Sequence, residues 1–123
     1  MRLDEHASEF LGTPFKLKAR GRDLFDCYGL LIHCLAKAGL VASPEDADIE
    51  VVRHLFSPIP VAAVRPGDVV ILKRPELGSD STHVAIRTTG SRYWSAERTV
   101  GVAQVKPDPK YIQSAYRLRE ATS

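Results

Sequence analysis

The sequence has few cysteines, no long apolar run and no strong excess of charge of either sign. Its two cysteines, Cys27 and Cys34, lie seven positions apart on one predicted helix. At the usual helical rise this is about 10 Å, which is too far for a disulfide between them. No CxxC pair occurs and the histidines are scattered, so the sequence indicates no metal site.

The charge and the apolar runs also exclude whole classes of protein. A net charge of +2 is too mild to indicate a nucleic-acid partner. The apolar runs are too short for membrane insertion. The opening residues, MRLDEHASEF, carry acids where a signal peptide needs a basic and then an apolar stretch. We therefore expect a protein without a signal peptide that is made in the cytoplasm.

The remaining composition is that of one globular domain, which we expect to span residues 1–123. Hydrophobic residues make up 44% of the chain and charged residues 26%. Apolar spacing predicts helices over 4–11 and 27–38 and a partly helical segment over 44–56. Strand-like stretches follow after RPGD and at 82–87, 91–97 and 100–105, while 111–119 fits a strand or a short helix. Helices first and strands second predict an α+β fold, with N-terminal helices packed on an antiparallel β-sheet.

Cys27 lies at the predicted start of the clearest helix, directly after Asp26, a good N-cap. Unpaired backbone N–H groups and the helix dipole favour a thiolate there, so we expect a lowered pKa. The alternative is a core position, because free cysteines are among the most buried residues. We interpret Cys34, further along the same apolar stripe, as core, His33, off that stripe, as a surface residue, and Gly39 as the helix stop.

His83 is the candidate base that a cysteine nucleophile needs. In a strand over 82–87 it lies on the face opposite Val84 and Ile86; the alternative is an ordinary half-exposed histidine. A three-residue loop, 88–90, would pair His83 with Ser95, whose hydroxyl could then orient the imidazole. A two-residue turn would put Ser95 on the other face. Cysteine, histidine and a polar orienter follow the logic of a catalytic triad.

The stretches FLGTPF, RDLFDCYGLL, AGL, RPGDVVIL, THVAI and YWSAE together resemble the NlpC-type cell-wall peptidases, a branch of the papain-like cysteine peptidases. The resemblance runs over roughly residues 7–105. It implies that Cys27 is the nucleophile, His83 the general base and Ser95 the third catalytic residue. It also implies a peptidoglycan stem-peptide substrate, cleaved between γ-D-glutamate and a diamino acid, and no cofactor.

The sequence departs from the family pattern at three positions. Ser95 stands where histidine, asparagine or glutamine is usual, and Phe15 where a tyrosine often serves the oxyanion or the substrate. Tyr28 follows the nucleophile where serine is common, which puts a substrate-binding role of Asp26 in doubt. Glu97 and Arg98, after Ser95, are interpreted as a substrate-groove lining or as an exposed strand end.

The size of the chain and its DCYGLL motif resemble phage and prophage tail-associated members of the family. Such members are made in the host cytoplasm and built into a virion tail. Other tail-tip proteins would then be partners. Phe15 and Ser95 favour the alternative of a structural tail-tip or hub component with little catalysis. Acyl transfer on lipids ranks last, because no membrane-seeking segment is present.

Overall fold

The computed structural model describes residues 2–14, 27–41, 49–75, 82–97 and 99–119; for residues 27 and 49–51 the description covers the backbone. Helix α1 spans Leu3–Ala7 and continues as a 3₁₀ turn, α2 spans Cys27–Lys37, and α3 spans Ile49–His54. Helices α2 and α3 lie inside segments that the sequence predicts to be helical, and α1 begins one residue before its predicted segment, 4–11. No helix in these ranges is long and apolar enough to cross a membrane.

Helix α2 buries the stripe that its apolar spacing predicts. Leu30, Leu31, Cys34 and Leu35 are all buried in the core. The helix ends at Lys37, and Gly39 just beyond it adopts a left-handed backbone with φ of 75°. Its N–H bonds to Ala36 O, and the next N–H bonds to Leu35 O. The predicted glycine stop is therefore confirmed as a C-terminal cap.

Six strands in the described ranges form one antiparallel sheet in the order β1-β6-β2-β3-β4-β5, so the predicted fold class is confirmed. The strands are β1 Phe56–Ile59, β2 Val69–Lys73, β3 Thr82–Arg87, β4 Tyr93–Glu97, β5 Gly101–Val105 and β6 Ile112–Leu118. Residues 111–119, which fitted either a strand or a short helix in the sequence, are therefore mainly strand β6. The sequence did not predict β1, because Pro58 lies within it. Proline lacks an N–H, and β1 tolerates it as an edge strand paired with β6 alone.

The sheet carries apolar residues on both faces. One face packs against the helices through Val84, Ile86, Trp94 and Ala96. The opposite face carries a second cluster: Val70, Leu72, Ala85, Tyr93 and Ala115. Because side chains alternate along a strand, residues 83, 95 and 97 belong to this second face. The prediction that His83 points away from the helical core is confirmed.

The hairpin between β3 and β4 has a longer loop than predicted. Arg87 pairs with Tyr93 and Ile86 with Trp94, so the predicted pairing of Arg87 with Ser91 is wrong by two residues. Thr88 N–H bonds to Arg92 O across the loop, and both Gly90 and Ser91 are left-handed. The shift is even, so Ser95 keeps the predicted face. Continued along the strands, however, this register places Glu97, not Ser95, across from His83.

The segment before residue 15 covers the free edge of β5. Gly12 N–H bonds to Val102 O and Val102 N–H bonds to Thr13 O, each at 2.8 Å. This close approach requires Gly101, since a Cβ there would come within 2.1 Å of Thr13 O. Gly101 in turn pairs with Glu97 of β4. Residues 12–13 therefore lie at the end of the sheet that carries Glu97.

Candidate functional site

The start of α2 coincides with the predicted nucleophile, because the helix begins at Cys27. Its first turn carries no acidic residue, so no carboxylate within that turn opposes a thiolate at the helix N-terminus. Tyr28 is half-buried and packs against the helical core. The helix itself packs on β3 and β4, the two strands that carry His83 and Ser95.

His83 is buried, with 5% of its surface exposed, and makes a short side-chain hydrogen bond. Its Nε2 lies 2.6 Å from Ser95 Oγ. Ser95 is fully buried, at 0% exposure, so this hydroxyl has no solvent to compete for its hydrogen bonds. The contact that the sequence predicts between the two side chains is confirmed, although the register from which it was derived is wrong.

A third side chain, Glu97, completes the cluster. Ser95 Oγ–H donates to Glu97 Oε2 at 2.6 Å, and the same carboxylate oxygen lies 3.4 Å from His83 Nε2. The Glu97 side chain is only 16% exposed, so an exposed strand end is the wrong interpretation of this residue. One signal was available in the sequence: Glu97 follows Ser95 by two residues and therefore shares its strand face.

Arg74, directly after β2, holds the carboxylate from the other side. Its Nη1 and Nη2 donate to the two Glu97 carboxylate oxygens at 2.9 and 3.0 Å. The His83 hydrogen bond is the largest influence that keeps the pKa of Glu97 well below its usual value, and Arg74 and Ser95 add to it against the effect of burial. Glu97 is therefore ionised at neutral pH.

The charge on Glu97 fixes the direction of the hydrogen bonds by donor counting. An ionised carboxylate only accepts, so the single hydroxyl proton of Ser95 is donated to Glu97. Ser95 Oγ must then accept from His83, which places the ring proton of a neutral His83 on Nε2. In this tautomer Nδ1 carries the ring lone pair and is the atom that can act as a base.

Two grooves are lined by residues that the structure describes, and the first of them adjoins this cluster. One, of about 450 Å³, is lined by Glu97 and Arg74 and carries Lys73 and Lys106 on its rim. The other, of about 480 Å³, lies between the helices and the sheet and is lined by Tyr28 among largely apolar side chains. Within the described ranges, no three His, Cys, Asp or Glu side chains are grouped to hold a metal ion.

The structure thus describes part of the predicted site. It brings His83 and Ser95 together and places Tyr28 at the edge of a groove. Phe15, Asp26 and Arg98 lie outside the described residues, as does the basic stretch over residues 16–23. Of Cys27 only the backbone is described.

Comparison with known proteins extends beyond these residues. The model of the NlpC/P60 family matches the chain over residues 12–120. A comparison with curated protein sequences gives no match.

Several solved structures share the fold. The NlpC/p60 domain of the peptidoglycan hydrolase SagA superposes with a TM-score of 0.72 at 20% identity, covering 94% of this chain and 96% of that domain. NlpC2 from Trichomonas vaginalis gives 0.70 at 18%, covering 94% and 45%. The peptidoglycan hydrolase RipB from Mycobacterium tuberculosis gives 0.65 at 16%, covering 94% and 61%. The chain therefore spans nearly all of the SagA domain but under half of the Trichomonas protein.

Proposed function

The chain belongs to the NlpC/P60 family, and on this basis we propose that it is a cysteine peptidase acting on peptidoglycan stem peptides. Two of the solved structures that share its fold are peptidoglycan hydrolases. The bond is that between γ-D-glutamate and a diamino acid, as the family resemblance implies. The observation that carries the proposal is the buried hydrogen bond of 2.6 Å between His83 Nε2 and Ser95 Oγ. It leaves Nδ1 as the basic atom of a histidine that matches the family's general base.

The chemistry needs a nucleophile, a base and an oxyanion site. Cys27 transfers its thiol proton to His83 Nδ1, and the sulfur attacks the scissile carbonyl carbon. The backbone N–H of Cys27 donates to the resulting oxyanion. The C–N bond then breaks as the imidazolium gives its proton to the leaving amine. Water attacks the acyl-enzyme, passing a proton to His83, and the carboxylic acid product and the free thiol are released.

Cleavage of defined peptides tests this proposal. The substrate is a purified stem tripeptide or tetrapeptide containing the γ-D-glutamyl–diamino acid bond, with products identified by mass spectrometry. Wild-type protein should cleave it, and both Cys27→Ala and His83→Ala should abolish cleavage. Cys34→Ala is the matched control, since it removes the other thiol of the chain from a core position. Cleavage that survives Cys27→Ala would refute the assignment of the nucleophile.

A second experiment tests the thiolate directly. The rate of Cys27 alkylation is followed against pH by mass spectrometry, with buried Cys34 as the internal standard. Fast labelling well below pH 8 that is slowed in His83→Ala supports a thiolate–imidazolium pair. Labelling no faster than that of an ordinary thiol would contradict it.

The second candidate function is a structural tail-tip or hub component that keeps the fold with little catalysis. Two departures from the family pattern favour it: Phe15 cannot supply a hydroxyl to an oxyanion, and Ser95 replaces a larger polar residue. Loss of one oxyanion donor costs about a hundredfold or more in rate. Phe15→Tyr separates the two candidates, because a slow enzyme should gain rate from the restored hydroxyl and an inert protein should not.

We further propose a phage or prophage tail as the setting, because the DCYGLL motif resembles that of tail-associated members of the family. The protein would be made in the host cytoplasm and incorporated with other tail-tip proteins. Detection of the chain in purified virions tests this. Its presence in the cytoplasm alone, with none in virions, would contradict the assignment.

A further inference from the structure

We propose that Glu97 is a positioning residue for His83: acting through the hydroxyl of Ser95, its carboxylate fixes the imidazole in the tautomer that a general base needs. Ser95 and Glu97 together would then take the place of the single larger polar residue that is usual in the family. The inference rests on the proposed role of His83. It is also a claim about the protonation of His83 that can be measured without any substrate.

The first support is the burial of the bridging hydroxyl. Ser95 is fully buried, and its oxygen lies 2.6 Å both from His83 Nε2 and from Glu97 Oε2. A buried hydroxyl with two short bonds is held in one orientation, since each unmade bond would leave a buried polar atom unsatisfied. The serine is thus a connector between the ring and the carboxylate.

The second support is the charge at the far end of the chain of bonds. Arg74 binds both Glu97 oxygens, and bidentate pairing of this kind favours the ionised carboxylate. Among the residues that the structure describes, the other charged side chains around the adjoining groove are Lys73, Lys106 and Asp108. All three are exposed, so solvent and salt screen their effect on Glu97. With Glu97 ionised, the donor at the His83–Ser95 contact can only be the ring nitrogen.

The third support is the relative length of the direct and bridged paths. The direct His83–Glu97 distance is 3.4 Å, which is longer than an ordinary charged hydrogen bond. The bridged path has two bonds of 2.6 Å each. The bridged path therefore supplies the short hydrogen bonds that orient the ring, and the carboxylate is also close enough to stabilise an imidazolium by its charge.

The proposal is tested by a substitution that keeps the shape of the Glu97 side chain but allows the hydrogen bonds between residues 97, 95 and 83 to run in the opposite direction. In Glu97→Gln the amide can donate to Ser95, which can then donate to His83 Nε2. We expect ring ¹⁵N NMR at a pH where His83 is neutral to show the Nε2–H form in wild type and a substantial Nδ1–H population in Glu97→Gln. Ser95→Ala leaves the accepting carboxylate in place and should retain mainly the Nε2–H form. Glu9→Gln, which removes an exposed carboxylate paired with Lys37, is the control and should match wild type.

Kinetics supply the second readout. Glu97→Gln should lower kcat for stem-peptide cleavage by at least about tenfold with little change in KM, because weaker general-base action affects the chemical step alone. The double variant Ser95→Ala/Glu97→Gln should be no slower than the slower single variant, as expected for two residues on one path.

The possible failures are distinguishable. If wild type cleaves the peptide and Glu97→Gln keeps both the Nε2–H form and a kcat within twofold of wild type, the relay is overturned and the proposed function stands. If wild type cleaves nothing, the proposed function fails, and the tautomer measurement still decides the relay. Should Glu97→Gln not fold, an Nδ1–H form in wild type would by itself overturn the proposal, and an Nε2–H form would support it.

Discussion

Arg74 and Glu97 bind each other through two hydrogen bonds of 2.9 and 3.0 Å, between residues 23 positions apart in the chain. This pair joins the end of β2 to the end of β4. It also keeps a negative charge in a largely buried position beside His83. The same pairing that serves the site should therefore make folding sensitive to acid.

The first prediction concerns stability at low pH. The folded-state pKa of Glu97 lies below its ordinary value of 4.5, so its ionised form adds stability above pH 4.5. That contribution is lost as the pH falls and the unfolded chain gains a proton that the folded chain resists. The difference in free energy of unfolding between wild type and Glu97→Gln should be largest near pH 6 and shrink toward pH 3.

Urea unfolding at closely spaced pH values measures this difference. Glu9→Gln is the comparison, because it removes a carboxylate that is half exposed. A difference between wild type and Glu97→Gln that is constant from pH 6 to pH 3 would contradict the ionised state assigned to Glu97.

The second prediction concerns Gly101. Both Gly101 and Gly90 have left-handed backbones, with φ of 77° and 70°. A Cβ at Gly101 would collide with Thr13 O at 2.1 Å, whereas nothing lies within 4 Å of one at Gly90. Gly90→Ala should cost about 1–2 kcal/mol from backbone strain alone. Gly101→Ala should cost clearly more, because it also displaces residues 12–13 from the edge of β5.

Urea midpoints of the two alanine variants give the comparison. Since the strain from a positive φ is common to both, the difference between them isolates the collision with Thr13. Equal midpoints would show that the edge pairing of residues 12–13 with β5 does not contribute to stability.

The third prediction concerns Asp68 of the PGD stretch. Asp68 is buried and accepts from Arg65 N and from Arg117 at 2.8–3.3 Å. It thereby ties the turn before β2 to β6, and its backbone carbonyl also accepts from Arg87 N at the end of β3. Asp68→Asn should lower the free energy of unfolding by about 1.5–3 kcal/mol.

Asp108→Asn is the matched control for this loss. Its carboxylate is 55% exposed and faces Lys110 Nζ at 3.9 Å, so the change should cost under about 1 kcal/mol. Similar losses in the two variants would mean that the PGD motif does not anchor the sheet in this way. The catalytic pH profile should be unchanged in Asp68→Asn, because the residue does not contact His83.

The sequence predicted the parts of the fold and the site that depend on local spacing. The periodicity and position of residues predict the apolar stripe of α2, its glycine stop, the sheet face that carries His83, and the contact of His83 with Ser95. The hairpin register did not, because the loop length depends on Ser91 adopting a left-handed backbone, which a serine rarely does.

Other features required contacts between distant residues. Glu97 ends a strand, where a charged residue is usually exposed, but its carboxylate is bound by Arg74, which follows β2. His33 was expected at the surface because it lies off the apolar stripe. It is buried against Phe10, edge to face at 5.8 Å between ring centres. Neither contact has a signature in local spacing.

The last prediction uses Cys34 as a reporter of unfolding. Burial raises the pKa of its thiol far above the ordinary value of 9.0, with the charge of Glu9 adding to the effect. The side chain is fully buried, so alkylation in native buffer should require opening of the fold, and its rate should rise with sub-denaturing urea. Labelling of Cys34 as fast as a free thiol in native buffer would contradict its place in the core.

The raised pKa of Cys34 also makes stability depend on pH. Stability is full below pH 9 and declines as the pH rises further, because only the unfolded thiol ionises. Cys34→Ala should lack this decline when urea unfolding is measured between pH 8 and 10.5.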